Sequence, residues 1–190
     1  MLRLAGTMIP LALLFSIGVN QSTLAAGSDC DNGDMDSCAF LGKAYERGWN
    51  VEPDIDKAVE LYNKACDGGS AEGCYGLASM YQGGLGVEQS MEEAAYFYRK
   101  SCDGGATNSC NALANLYLKG NGVVQDIERG INLFQQTCEG GDKSSCFVLG
   151  FLYDKGRDVD QDTTTATKYY TKACSLGDNN SCQLLDKTNN

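Results

Sequence analysis

The sequence contains no histidine at all. That excludes a Ser-His or Cys-His nucleophile pair and any imidazole general base. It has no C-x-x-C, so thioredoxin-like exchange lacks its motif. None of its lysines is preceded three residues earlier by serine, so the S-x-x-K element of penicillin-recognising enzymes is missing. No glycine is followed directly by Lys-Ser or Lys-Thr, as the last glycine of a phosphate-binding loop is. Positive charge is also scarce: 15 Lys and Arg stand against 25 Asp and Glu, for a net charge of -10. Such an acidic surface repels phosphate backbones and anionic lipid, which excludes nucleic acid and weighs against peripheral membrane binding.

Long apolar runs are confined to the first residues. Arg3 precedes a largely apolar stretch, Leu4 to Val19, and a short polar segment ends in Ala25-Ala26. This order predicts a secretory signal over residues 1–25, cleaved after Ala25 or Ala26. An uncleaved anchor is the competing reading, but Gly6, Pro10 and Gly18 interrupt the stretch, which is short for a spanning helix of about 20 residues. Loss of Arg3 leaves 14 positive against 25 negative side chains, or -11. No membrane insertion is expected after cleavage, and the expected destination is the periplasm or the exterior.

Ten cysteines are present. They fall at Cys30, Cys66, Cys102, Cys138 and Cys174, and again at Cys38, Cys74, Cys110, Cys146 and Cys182. Both series advance by 36 residues without a slip. A fixed period in this range marks a solenoid, whose units bury their apolar faces on one another. Leu41, Leu77, Leu113, Leu149 and Leu185 keep the period, as do Tyr45, Tyr81, Tyr117 and Tyr153. With the small column Gly42, Ala78, Ala114 and Gly150, they form one face of a first helix. A Gly-rich connector follows, with Val51, Val87, Val123 and Val159 placed to plug it onto the core.

Asp54, Ser90, Asp126 and Asp162 then open a second helix as caps. Its apolar spacing reads Ala58, Leu61, Tyr62, Ala65 in the first copy. Glycines in the column of Gly33, Gly69, Gly105, Gly141 and Gly177 end it. The expectation is an N-terminal extension over 26–34, then four helix pairs at about 35–66, 71–102, 107–138 and 143–174. A capping helix from about Asn179 to residue 186 and a tail over 187–190 complete the chain.

The pattern Leu77-Ala78…Tyr81…Gly84-x-Gly86-Val87…Ala94…Tyr98…Lys100 resembles the Sel1-like repeat, a relative of the tetratricopeptide repeat. The C-x7-C at every hairpin resembles its secreted cysteine-rich branch, typified by the Helicobacter cysteine-rich proteins. The resemblance implies an all-α fold, a right-handed α/α superhelix of stapled helical hairpins. Two disulfide schemes fit the repeat geometry. Pairing forward along each helix pair strands Cys30 and Cys182, whereas C-x7-C pairing uses every cysteine, so 30–38, 66–74, 102–110, 138–146 and 174–182 are expected. Zinc ligands usually lie two to four residues apart, often with histidine. Neither metal nor cofactor is therefore expected.

Function is expected where the lattice varies. In superhelices of this kind the first helices line the concave side, where Ala39/Lys43, Tyr75/Ser79, Asn111/Asn115 and Phe147/Phe151 differ from copy to copy. Asn111 and Asn115 can each hold a peptide bond bidentately, with Tyr75, Phe147 and Phe151 as apolar anchors. The competing reading is that these residues pack against loops or a neighbouring repeat. The leading expectation is a monomeric, secreted scaffold that binds a protein or an extended peptide. The resemblance also implies one alternative, a penicillin-binding or β-lactamase-type hydrolase, for which no catalytic motif is found; a third reading is a purely structural, host-exposed antigen without a specific ligand.

Overall fold

The computed structural model describes residues 21–188, and the described chain is entirely helical. Residues 1–20 and 189–190 lie outside the described residues, and with them most of the expected signal and the end of the tail. Ten helices follow one another: α1 (Gln21–Asp31), α2 (Met35–Arg47), α3 (Ile55–Asp67), α4 (Ala71–Gly83), α5 (Met91–Asp103), α6 (Thr107–Lys119), α7 (Ile127–Glu139), α8 (Lys143–Lys155), α9 (Thr163–Ser175) and α10 (Asn179–Thr188). Each packs on the next, and α2 also packs on α4. The four expected pairs are α2–α3, α4–α5, α6–α7 and α8–α9. Among the described residues no helix is long and apolar enough to cross a membrane.

Local chemistry sets the helix ends. Asp54, Ser90, Asp126 and Asp162 sit in extended backbone and accept first-turn N–H groups, from Lys57, Glu93, Arg129 and both Thr164 and Thr165. Each such cap stabilises its helix by about 1 kcal/mol. The connectors are held by one device in three copies: Gln89, Gln125 and Gln161 each donate a side-chain hydrogen bond to the carbonyl seven residues back. Gly122 shows why this loop needs glycine. Its φ is +70°, and a Cβ there would stand 2.1 Å from the Met91 carbonyl oxygen. In the same column Asn50 (φ 58°) and Asp158 (φ 64°) adopt the left-handed conformation, which short polar side chains tolerate better than others do.

Packing follows the small-residue column. Tyr62, Tyr98, Phe134 and Tyr170 are buried in the second helices. A Cβ on Gly42 would stand 3.0 Å from the Tyr62 ring, and one on Gly150 would stand 2.6 Å from Tyr170. The same Tyr62 ring also meets Gly76 of the next pair, where a Cβ would stand 2.3 Å from it. One aromatic thus fills the space between two pairs. Burying such a side chain is worth about 1.5–3 kcal/mol. Val87, Val123 and Val159 pack from the connectors onto the apolar clusters of successive repeats.

All ten cysteines are paired as C-x7-C: 30–38, 66–74, 102–110, 138–146 and 174–182, with Cα atoms 4.5 to 4.9 Å apart. Each bridge joins the second helix of one pair to the first helix of the next, so the staples fasten repeat to repeat. Five such bonds place the chain in an oxidising compartment.

One element goes beyond the expected organisation. Helix α1 occupies most of the stretch read as a plain extension. It takes the place of a second helix ahead of the first pair, with Ala26 and Cys30 buried. Its end is turned like the others: Gly33 has a φ of 96°, and the Asp34 N–H reaches the Asp29 carbonyl at 2.9 Å.

Candidate functional site

The variable face of the first helices carries two adjoining clefts. One, of about 220 Å³, lies between α2 and α4 and is lined by Lys43, Glu46, Tyr62, Glu72, Tyr75 and Ser79, among others. The second, of about 380 Å³, is lined by Gln82, Tyr98, Ala112, Asn115, Lys119 and Asn121, among others. Tyr98 joins them. Its hydroxyl lies 3.5 Å from Ser79 Oγ and donates to Gln82 Oε1, and its ring is 5.9 Å from Tyr75. Lys43 and Glu72 form an ion pair of 3.4 Å across the first cleft.

The Tyr62 and Tyr98 hydroxyls in these walls act as hydrogen-bond donors. Burial, reinforced by the bond to Glu46 at 2.7 Å, pushes the Tyr62 phenol far above its ordinary value. Burial also raises Tyr98. Glu46 and Gln82 were not singled out from sequence, yet a signal exists. Where the second helix carries a buried tyrosine, as in the first two repeats, the column of Glu46 holds a polar acceptor. In the third repeat the aromatic is Phe134, and the facing residue becomes Leu118, buried in the same cluster.

The two asparagines divide. Asn115 is exposed, and its Nδ2 donates to the Asn111 carbonyl at 3.0 Å. The Asn111 side chain turns toward α7 and α8. Its Oδ1 accepts from Thr137 Oγ1 at 2.9 Å and lies 2.7 Å from Ser145 Oγ, whose proton goes to Asp142 Oδ2, and its Nδ2 donates to Asp142 Oδ2 at 2.8 Å. Both ends of that amide are engaged within the protein. Burial works against ionisation of Asp142, but hydrogen bonds from Ser145, Asn111 and two backbone N–H groups outweigh it, and its carboxyl lies below the ordinary value. Of the aromatics, Tyr75 and Phe147 are half-buried, with Phe147 tilted against Tyr170 at 5.9 Å. Phe151 is half-buried on the same helix. Tyr75, Ser79 and Asn115 thus line the paired clefts, whereas Phe147 and Phe151 lie further along the array. This lining can donate and accept hydrogen bonds and offers aromatic edges.

Solved structures reproduce the architecture. The chain is similar to c5321, described as a protective antigen present in uropathogenic Escherichia coli strains, with TM-score 0.80 and 27% identity, over 87% of this chain and 36% of that one. It is similar to a Sel1 repeat protein from Oxalobacter formigenes, with TM-score 0.76 and 27% identity, over 82% of this chain and 63% of that one. It is also similar to the Helicobacter pylori cysteine rich protein B, with TM-score 0.53 and 28% identity, over 72% of this chain and 98% of that one. The chain therefore spans less than two thirds of the length of the first two. No curated protein matches it. The Sel1 repeat model matches residues 36–70, 71–105, 107–142 and 143–178, and the chain belongs to the Sel1 repeat family.

Proposed function

We propose that this chain is a secreted scaffold that captures a protein partner or an extended peptide on its first-helix face. The observation that carries this reading is the pair of adjoining clefts joined through Tyr98. They are lined by the positions at which otherwise repetitive first helices differ. A wall of neutral phenols, amides and half-buried rings suits main-chain hydrogen bonding with side-chain anchoring. Asn115 presents its amide to the ligand, and Asn111 holds the shelf beneath it. Tyr75 and Ser79 continue the surface in one direction, and Phe147 and Phe151 in the other. The five disulfides support release into an oxidising space, periplasmic or extracellular. A second reading, a host-exposed antigen, is supported by the likeness to c5321.

The test places a photo-crosslinking residue at Ser79, at Asn115, or at Tyr96, which is 55% exposed on the second helix α5, and irradiates in the native compartment. The same discrete adduct from positions 79 and 115, and none from 96, is the expected result. Absence of an adduct at the first-helix positions, or identical adducts from all three, would overturn the groove.

A further inference from the structure

The repeat lattice breaks at another place, on the other side of α6. Between α5, α6 and α7 a cleft of about 340 Å³ is lined by Arg99, Tyr117, Val123, Val124, Asp126 and Arg129, among others. Tyr117 lies two residues beyond Asn115, roughly 200° around the helix, so this cleft faces away from the groove. The Tyr117 hydroxyl accepts from Arg99 Nη2 at 2.8 Å. The Arg129 guanidinium lies over the same ring, 5.0 Å from its centre. One buried tyrosine thus aims two guanidiniums, one by a hydrogen bond and one by its π-face.

Both arginines are exposed. Among the described residues neither guanidinium comes within ion-pair reach of a carboxylate. Asp126 is in the wall, but its Oδ1 caps α7 by accepting the Arg129 backbone N–H at 2.9 Å. Among the four repeats only this one places two cations at these positions. The column of Arg99 holds Asn63, Gln135 and Thr171, and that of Arg129 holds Lys57, Glu93 and Thr165. The residue after the plugging valine is an acid in the other repeats, Glu52, Glu88 and Asp160, and here it is Val124. Val124 is 89% exposed and adds nothing to the core. In a chain of net charge -10, the acid is absent where two arginines converge, and an aliphatic side chain faces solvent in its place.

We propose that this cleft receives a carboxylate attached to an aliphatic group, the chemistry that a peptide's C-terminal leucine or valine presents. Arg99 and Arg129 take the carboxylate through their remaining N–H donors, and Val123 and Val124 take the aliphatic group. The missing acid of the lattice is supplied by the ligand. This site stands apart from the first-helix groove, and either can fail without the other.

The test is an NMR titration of the oxidised full chain, following the backbone and the arginine Nε–Hε signals. The probes are N-acetyl-leucine, N-acetyl-leucinamide, acetate and N-acetylglutamate N-methylamide. N-acetyl-leucine is expected to shift Arg99, Arg129 and Val124, binding at least tenfold more tightly than the other three. Arg99→Gln with Arg129→Gln is expected to weaken it at least tenfold, and so is Val124→Glu, which restores the acid of the other repeats. The remaining backbone signals of the variants report that the fold is intact. Equal binding by the leucinamide or by Val124→Glu would overturn the carboxylate receptor. Equal binding by acetate or the glutamate derivative would overturn the aliphatic wall, and no shift of either arginine would overturn the site as a whole.

Discussion

Ser101 and Ser109 face one another across the Cys102–Cys110 bridge, with their hydroxyl oxygens 2.6 Å apart and both side chains fully buried. The same two positions hold Ala65 and Gly73 at the preceding junction, where a Cβ on Gly73 would stand 2.4 Å from that of Ala65. At the next they hold Thr137 and Ser145, with hydroxyl oxygens 2.7 Å apart. At the last junction they hold Ala173 and Ser181, and among the described residues the buried Ser181 hydroxyl has no hydrogen-bond partner. The pair beside each disulfide is thus either small and apolar or doubly polar, except at the C-terminal end.

Ala173→Ser supplies the missing partner and is expected to raise stability by about 1 kcal/mol. Ser181→Ala removes the orphan and is expected to act in the same direction. Urea unfolding of each variant checks this, and a loss of stability in both would overturn it.

Asn111→Ala takes the Nδ2 donor from Asp142 and an acceptor from the Thr137–Ser145 pair, and a loss of about 1–2 kcal/mol is expected. Asn115→Ala, on the exposed side, is expected to stay within about 0.5 kcal/mol. The first deficit depends on pH. Asp142 lies below its ordinary value in the folded chain, so its contribution is present above the unfolded carboxylate range and is lost as pH falls through the folded value. Relative to the parent chain, the Asn111→Ala deficit is therefore full above about pH 5 and narrows in more acid solution. Unfolding curves at several pH values measure it.

Removing one staple by Cys138→Ala with Cys146→Ala is expected to cost about 2–3 kcal/mol, from the chain-entropy cost of closing so short a loop. The loss should appear in the urea midpoint, with native helicity retained by circular dichroism.

The connectors offer a contrast. Asp158→Gly relieves a left-handed residue and is expected to add up to about 1 kcal/mol. Gly122→Ala puts a Cβ against the Met91 carbonyl and is expected to destabilise by more than about 2 kcal/mol. Thermal melting separates the two by sign.

Much of this was legible because the period repeats one physical problem several times. Cysteine, leucine, tyrosine and glycine recur wherever a pair must meet its neighbour, so caps, connectors and bridges could be read from their columns. Helix α1 was not legible: it offers only Cys30 and Gly33 to the lattice, and its alanines read equally well as the end of a secretion signal. The inward turn of Asn111 was hidden for another reason. It depends on Thr137 and Ser145, which lie 26 and 34 residues away and look unremarkable in their own columns until the pair beside the disulfide is recognised. The two-arginine cleft left its trace in three columns, most plainly as Val124 in a column of acids.

The bridges also set how the molecule bears load. Each closes over a sequence separation of eight within a period of 36 residues. Drawn taut from its ends, a reduced array can extend to about 120 Å per repeat, at roughly 3.4 Å per residue. With the bridges intact, eight of those steps stay shut behind a sulfur link, and the reach falls to about 100 Å per repeat. Oxidation thus shortens the tether by about a sixth without fastening distant parts of the chain together.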